Sequence, residues 1–210
     1  MRPVGIGVSH IKISMKNKRL KQQIDFILEI DRLKTIFRQS YLIGERRREN
    51  SAEHSWHVAI MATILAEYSD ETINADKTAK MLLIHDIVEI DAGDTYCYDE
   101  TGASSKIERE NQAADRIFSL LPDDQTADFR SLWDEFEARQ TPEAKFAAAI
   151  DRIMPILHNV HTEGKSWKEH DISRGQVMKR AECVRDISAP LWEAMQSILD
   201  DAVSKGYLKN

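Results

Sequence analysis

The chain of 210 residues is 42% hydrophobic and 30% charged, which excludes a disordered or collagen-like polymer and provides core material for one globular domain. Its 29 basic and 35 acidic side chains leave a formal charge of −6 and a pI near 5.7, so no global positive field exists to hold a nucleic-acid polymer or an anionic membrane. Cys97 and Cys183 lie far apart without CxxC spacing, the start has no continuous apolar stretch, and no run reaches the ~20 residues of a membrane span; a reduced, cytoplasmic setting is expected.

Residues 1–17 read as an irregular N-terminal arm, the first 14 unlike the rest of the chain. Helical periodicity dominates from residue 18, and no alternating Val/Ile/Thr run of useful length occurs. The fold class is therefore all-α, one helical bundle over 18–210 with additional C-terminal helices. A first helix is expected near 18–39, with Ile24, Ile27, Leu28, Leu33 and Ile36 close to one face. A polar connector, Gly44 to Glu49, leads to Asn50, which with Glu53 forms a capping pair opening a second helix through Trp56, Ala59, Ile60, Thr63 and Leu65. A third helix over 76–91 has an all-apolar centre, Met81-Leu82-Leu83-Ile84, and is expected to be buried. Gly93 ends it, and turn residues run to Ser105. Helices near 106–121 and 124–140 follow, the latter offering Phe129, Leu132, Trp133 and Phe136 inward. Pro142 opens a sixth helix where a missing N–H costs nothing. Pro155 in its interior frees the carbonyl of Asp151, so a kink is expected just beyond that residue. Residues 162–172 read as a loop, and 173–206 as two helices split at Pro190 and stopped by Gly206.

Two His-Asp pairs occur. His170-Asp171 sits in the polar loop, so the dipeptide alone carries no information. Ile84-His85-Asp86 differs in its setting, an apolar helix in which an adjacent imidazole and carboxylate are costly unless something satisfies both. Glu89 lies within one turn of both, and Asp94 follows the helix end. His54 on the second helix and Asp151 among Phe146, Ala147, Ala149, Ile150 and Ile153 are two more polar groups on apolar faces. Singly, each reads equally as a satisfied core group; together they form a His2Asp2 set drawn from three helices, for which a bound cation is one solution.

The order His54, His85-Asp86, Asp151 resembles the HD superfamily of metal-dependent phosphohydrolases. Glu53-His54-Ser55, Leu83 to Glu89, Gly93-Asp94 and Ala144-Lys145-Phe146 are more narrowly similar to the bacterial 5′-deoxynucleotidase and its relatives, over about residues 20–160. The resemblance implies an HD-type helical domain with its metal-site core at about 50–160. One divalent ion (Mn, Co, Fe, Ni, Zn or Mg) would be bound by His54, His85, Asp86 and Asp151. Glu89 and Asp94 would do acid–base work, activating water and assisting the leaving alcohol. Arg38, expected at the end of the first helix, aligns with the arginine that contacts substrate. Where the relative has a tryptophan beside that arginine, implicated in choosing deoxyribose, this chain has Gln39.

The implied enzyme is a phosphomonoesterase acting on nucleoside 5′-monophosphates, with a homodimer as an accompanying expectation. Alternatives are hydrolysis of another nucleotide, such as a triphosphate or signalling nucleotide, a di-iron HD oxygenase drawing on His57, His158 and His161, and a non-catalytic nucleotide-binding regulator. Those three histidines read first as packing or supporting groups, with pocket lining or a second metal as the alternative. Arg46-Arg47-Arg48 reads as a solvated charge run that could gather phosphate, and Trp133, Trp167 and Trp192 as core anchors.

Overall fold

A computed structural model describes residues 16–45, 47–94 and 103–210, with side chains from 106 in the last stretch. The N-terminal arm to residue 15, Arg46, Cys97 and most of the turn stretch after Asp94 lie outside the described residues. The chain is all-α apart from one two-stranded sheet. Helix α1 covers Lys18–Ile30, its first turn capped by the Asn17 side chain, and a 3-10 turn continues over Asp31–Thr35. The first helix therefore ends well before residue 39. Phe37–Tyr41 instead form strand β1, antiparallel to β2 at Arg48–Asn50, with Phe37 opposite Asn50, Tyr41 opposite Arg48 and an irregular register between. Of β1 only Ser40 is buried, so the strand carries no apolar alternation for sequence reading to detect.

Helix α2, Ser51–Leu65, opens with the expected reciprocal Asn50/Glu53 capping box. Helix α3, Ala75–Ile84, is shorter than its hydrophobic pattern suggests: the backbone turns at 85–88 and resumes as a four-residue helix α4, Glu89–Ala92. Gly93 stops it at φ +75°, a left-handed value that a side chain would strain. Helices α5 (Ala103–Phe118), α6 (Asp123–Ala138) and α7 (Pro142–His161) follow, α7 with Pro142 in its first turn and running unbroken through Pro155. The expected loop at 162–172 contains a short helix α8, Lys165–Glu169, and is tied to α7 by Asn159. Asn159 donates to the Pro155 carbonyl and accepts from Trp167 N at 3.1 Å. Helices α9 (Arg174–Arg180) and α10 (Ala189–Ser204) flank a 3-10 turn, Glu182–Val184, before Gly206.

Helices α2, α3 and α7 pack against one another at the centre. Phe146, Ala147, Ala149, Ile150 and Met154 of α7 are fully buried, as are Val58, Met81 and Leu82; each large apolar side chain so buried contributes about 1.5–3 kcal/mol. Trp133 and Trp167 are core residues, and Trp192 packs on the core partly buried. Five residues expected inward are not. Ile27 and Leu28 of α1, Trp56 and Ile60 of α2 and Leu83 of α3 are between 46% and 61% exposed. The core closes over Phe26, Val58 and Leu82, which leaves these side chains on the opposite faces. Ile27, Trp56 and Leu83 line one shallow surface groove.

Candidate metal centre

The three central helices each deliver a polar group to one point. His54 lies in the first turn and a half of α2, wholly buried, with Nε2 3.0 Å from Asp151 Oδ1 on α7. His85 occupies the C-cap of α3, where the Leu82 carbonyl lies 2.7 Å from Nδ1. That carbonyl accepts the Nδ1 proton and leaves Nε2 as a lone-pair donor. Nε2 is buried without a hydrogen-bond partner, 3.0 Å from Asp86 Oδ1 and 3.8 Å from Asp151 Oδ1. Ligand atoms of His54, His85 and Asp151 lie within 4.8 Å of one another. The break between α3 and α4 lets Asp86 turn back on the same point, so all four expected metal-site residues are brought together.

Arg38 is on β1 rather than at the end of the first helix, the place expected from sequence. The strand carries its guanidinium into the centre, where Nη1 donates to Asp86 Oδ2 at 2.6 Å and stands 3.9 Å from Glu89, while Nη2 is 3.8 Å from Asp151. Burial disfavours its charge, but Asp86, Glu89, Asp94 and Asp151 together outweigh that and hold it protonated. Glu89, the first residue of α4, accepts from Ser51 Oγ at 2.7 Å. Burial, with Asp86 and Asp94 nearby, pushes its carboxyl well above the usual range. Asp94, just past Gly93, is shifted upward by burial and Asp86 and hydrogen-bonds with Glu89. Asp151 goes the other way: burial opposes its charge, yet Arg152, His54 and His85 hold it well below the usual carboxylate value.

Four carboxylates thus face two arginines, Arg38 and Arg152, in a buried cleft. Like charges a few ångströms apart cost several kcal/mol at protein-like dielectric, and without a cation that cost pushes the Glu89 and Asp94 carboxyls upward. A divalent cation offsets that cost, and two imidazoles with two carboxylates are donors of the right chemistry for a first-row transition ion. The orphaned Nε2 of His85 is the clearest sign that these residues fit one.

Sequence reading missed three members. Arg152 donates to Asp151 Oδ2 at 2.6 Å, Ser51 holds Glu89, and Glu49 Oε2 stands 3.3 Å behind Nδ1 of His54. Each is a neighbour of a recognised residue, but nothing in its spacing marked it. Arg47 pairs with Glu53 at 2.7 Å and Arg48 approaches Glu169 at 3.8 Å, so these two of the arginine run are engaged elsewhere. His161 is exposed, whereas His57 and His158 gather around Glu49.

The HD-domain family profile matches residues 30–192. The chain belongs to the HD-domain family. A solved structure from Magnetospirillum magnetotacticum, described as a predicted metal-dependent phosphohydrolase, superposes with TM-score 0.89 at 50% identity, covering 94% of this chain and all of that one. A human 5′-deoxynucleotidase is 30% identical over 64% of this chain, a match spanning 65% of the human protein's length. A 5′-deoxynucleotidase of Pasteurella multocida is 35% identical over 68% of this chain and 80% of its own. Among the described residues no helix of this HD-domain protein is long and apolar enough to cross a membrane.

Proposed function

We propose that this HD-domain protein hydrolyses nucleoside 5′-monophosphates to nucleoside and inorganic phosphate, with one divalent metal ion held by His54, His85, Asp86 and Asp151. The observation that carries the reading is the convergence of His54, His85 and Asp151 from three packed helices, with Asp86 Oδ1 3.0 Å from the unpartnered Nε2 of His85. The nucleotidases and phosphohydrolase among its relatives supply the reaction class, metal-dependent phosphate ester hydrolysis.

When bound, the ion supplies Lewis acidity toward a phosphate oxygen and acidifies water. Arg38 binds the remaining phosphate charge through its guanidinium fork, opposite the carboxylates. Glu89 takes the proton of the attacking water as its oxygen bonds to phosphorus and the P–O5′ bond breaks. Asp94, in hydrogen-bond contact with Glu89, returns a proton to the departing 5′-oxygen. Gln39 lines the same cleft and offers no aromatic face to the sugar, so ribose and deoxyribose are discriminated weakly. Arg139 and Arg152 along that cleft favour one second reading, a nucleotide bearing more than one phosphate.

We assign the whole function to one helical domain in the cytosol, acting as a homodimer. The groove bearing Ile27, Trp56 and Leu83 supports the dimer, as apolar side chains of that size seldom stay uncovered together. Phosphate release is to be screened over nucleoside mono-, di- and triphosphates with added Mn, Co, Fe, Ni, Zn and Mg. Preferential release from monophosphates is expected, and no release from any nucleotide overturns the reading. Sedimentation of Trp56→Glu beside the unsubstituted chain tests the dimer.

A further inference from the structure

Nδ1 of His54 faces away from the catalytic cleft, toward a second cluster. Glu49 comes from β2, His57 stands one turn beyond His54 on α2, and His158 lies two turns beyond Asp151 on α7. Each offers one ligand atom, and these atoms lie within 4.8 Å of one another. Glu49 and His158 are 1% and 2% exposed. Glu49 Oε2 and His158 Nδ1, 3.7 Å apart, are both buried without a hydrogen-bond partner.

An ionised carboxylate sealed from water needs compensation. His54 Nδ1, 3.3 Å from Glu49 Oε2, faces that carboxylate from the side of the catalytic centre. What remains is a buried carboxylate and two imidazoles converging on one point, with Glu49 Oε2 and His158 Nδ1 lacking hydrogen-bond partners.

We propose that Glu49, His57 and His158 bind a second divalent transition-metal ion, separate from the catalytic one. Two imidazoles and one carboxylate favour a zinc-type ion over calcium or magnesium, which take oxygen ligands. The ion ties β2, α2 and α7 together directly behind the catalytic centre. It also fixes Glu49, the carboxylate that His54 Nδ1–H faces, and so holds the His54 ring with Nε2 toward Asp151. Its role is structural, and it does not depend on which phosphate ester the protein hydrolyses.

The test is zinc and cobalt titration of the chelated full-length chain, with metal content measured after gel filtration. The unsubstituted chain is expected to retain two ions, His57→Gln and His158→Gln one each, with affinity for the second lowered at least ~10–100-fold. Asp151→Asn should lose the catalytic ion and keep the second, so the two assignments fail separately. Zinc should raise the Tm of Asp151→Asn but not of Asp151→Asn combined with His57→Gln. One ion in the unsubstituted chain, or unchanged binding in His57→Gln, overturns the proposal. His57 is only partly buried, so that variant carries the test alone where His158→Gln does not fold.

Discussion

The chain contains the same dipeptide twice, and the two copies differ in everything that matters for chemistry. His85-Asp86 sits where α3 breaks in the middle of the core, with Nδ1 of the histidine pinned to the Leu82 carbonyl and Asp86 against Arg38. His170-Asp171 sits where α8 ends on the surface, the aspartate at φ +50° and its exposed carboxylate 2.9 Å from Lys209 Nζ. Both copies end a helix. What separates them is what lies beneath the break: in the first, two further helices each supplying a polar group, and in the second, the apolar Trp167 and Ile172.

The largest effects are expected at the first copy. Asp86→Asn and His85→Gln should abolish retention of the catalytic ion and with it phosphate release. The loss should exceed the ~10²–10⁴-fold that an acid–base group contributes, since both the ion and the water it acidifies are lost. His170→Gln and Asp171→Asn should leave both unchanged. Chelation should mimic the Asp86 variant and added metal reverse it. Metal analysis and phosphate assays on the four variants settle the comparison, and equal activity across them erases it.

Next come the residues that give the first copy its reactivity. Glu89→Gln and Asp94→Asn should keep the metal and lower the rate ~10²–10⁴-fold. Burial and Asp86 raise the Glu89 carboxyl well above its ordinary value, and the deprotonated form is the active base. The rate should therefore rise with pH as that carboxyl loses its proton, and Glu89→Gln should lack this limb. A carboxyl whose pKa is higher folded than unfolded stabilises the fold most when protonated. The metal-free chain should accordingly lose stability as pH rises from the ordinary carboxylate value through the raised one. Thermal unfolding in chelator across pH should show a shallower fall in Glu89→Gln.

His54, His85-Asp86 and Asp151 were readable because each is a polar group interrupting an apolar helical pattern, which costs too much to be incidental. The Asn50/Glu53 capping box and Pro142 marked two helix starts for equally local reasons. What escaped detection was set by tertiary contact. The break after Ile84 is marked by no Gly or Pro, and strand β1 has neither alternation nor apolar inward residues. The outward-facing Trp56 and Leu83 satisfy a helical period as well as inward ones would. Glu49 and Ser51 gain meaning only through His54 and Glu89, which fold onto them from elsewhere.

Arg38 should come third. It is the cation that the acidic centre turns toward phosphate, and the second His-Asp copy has Lys209 in the analogous place, exposed and merely pairing. Arg38→Ala should lower kcat/KM for nucleotides by about one to two orders of magnitude, the ~1.5–3 kcal/mol of a charge-assisted contact, with metal content retained. With Gln39 beside it, ribo- and deoxyribonucleotides should be hydrolysed at similar rates. Steady-state kinetics on paired substrates checks both, and unaltered kcat/KM in Arg38→Ala removes that residue from the site.

The smallest effect belongs to Asp171. Its pair with Lys209 is 61% and 80% exposed at the two side chains, and exposed ion pairs contribute about 0.2–1 kcal/mol. Its left-handed backbone adds a second, separable cost, because aspartate tolerates φ > 0 better than alanine does, and glycine tolerates it freely. Asp171→Ala should lose both contributions and fall in stability by no more than about 2 kcal/mol. Asp171→Gly loses only the ion pair and should unfold above Asp171→Ala in temperature. Because high salt shortens the screening distance to about 3 Å, the gap between Asp171→Gly and the unsubstituted chain should narrow in 1 M salt, while the gap between the two variants persists. Thermal unfolding of the three proteins at low and high salt reads all of this. A loss of metal or activity in either variant would mean that the surface copy is coupled to the buried one.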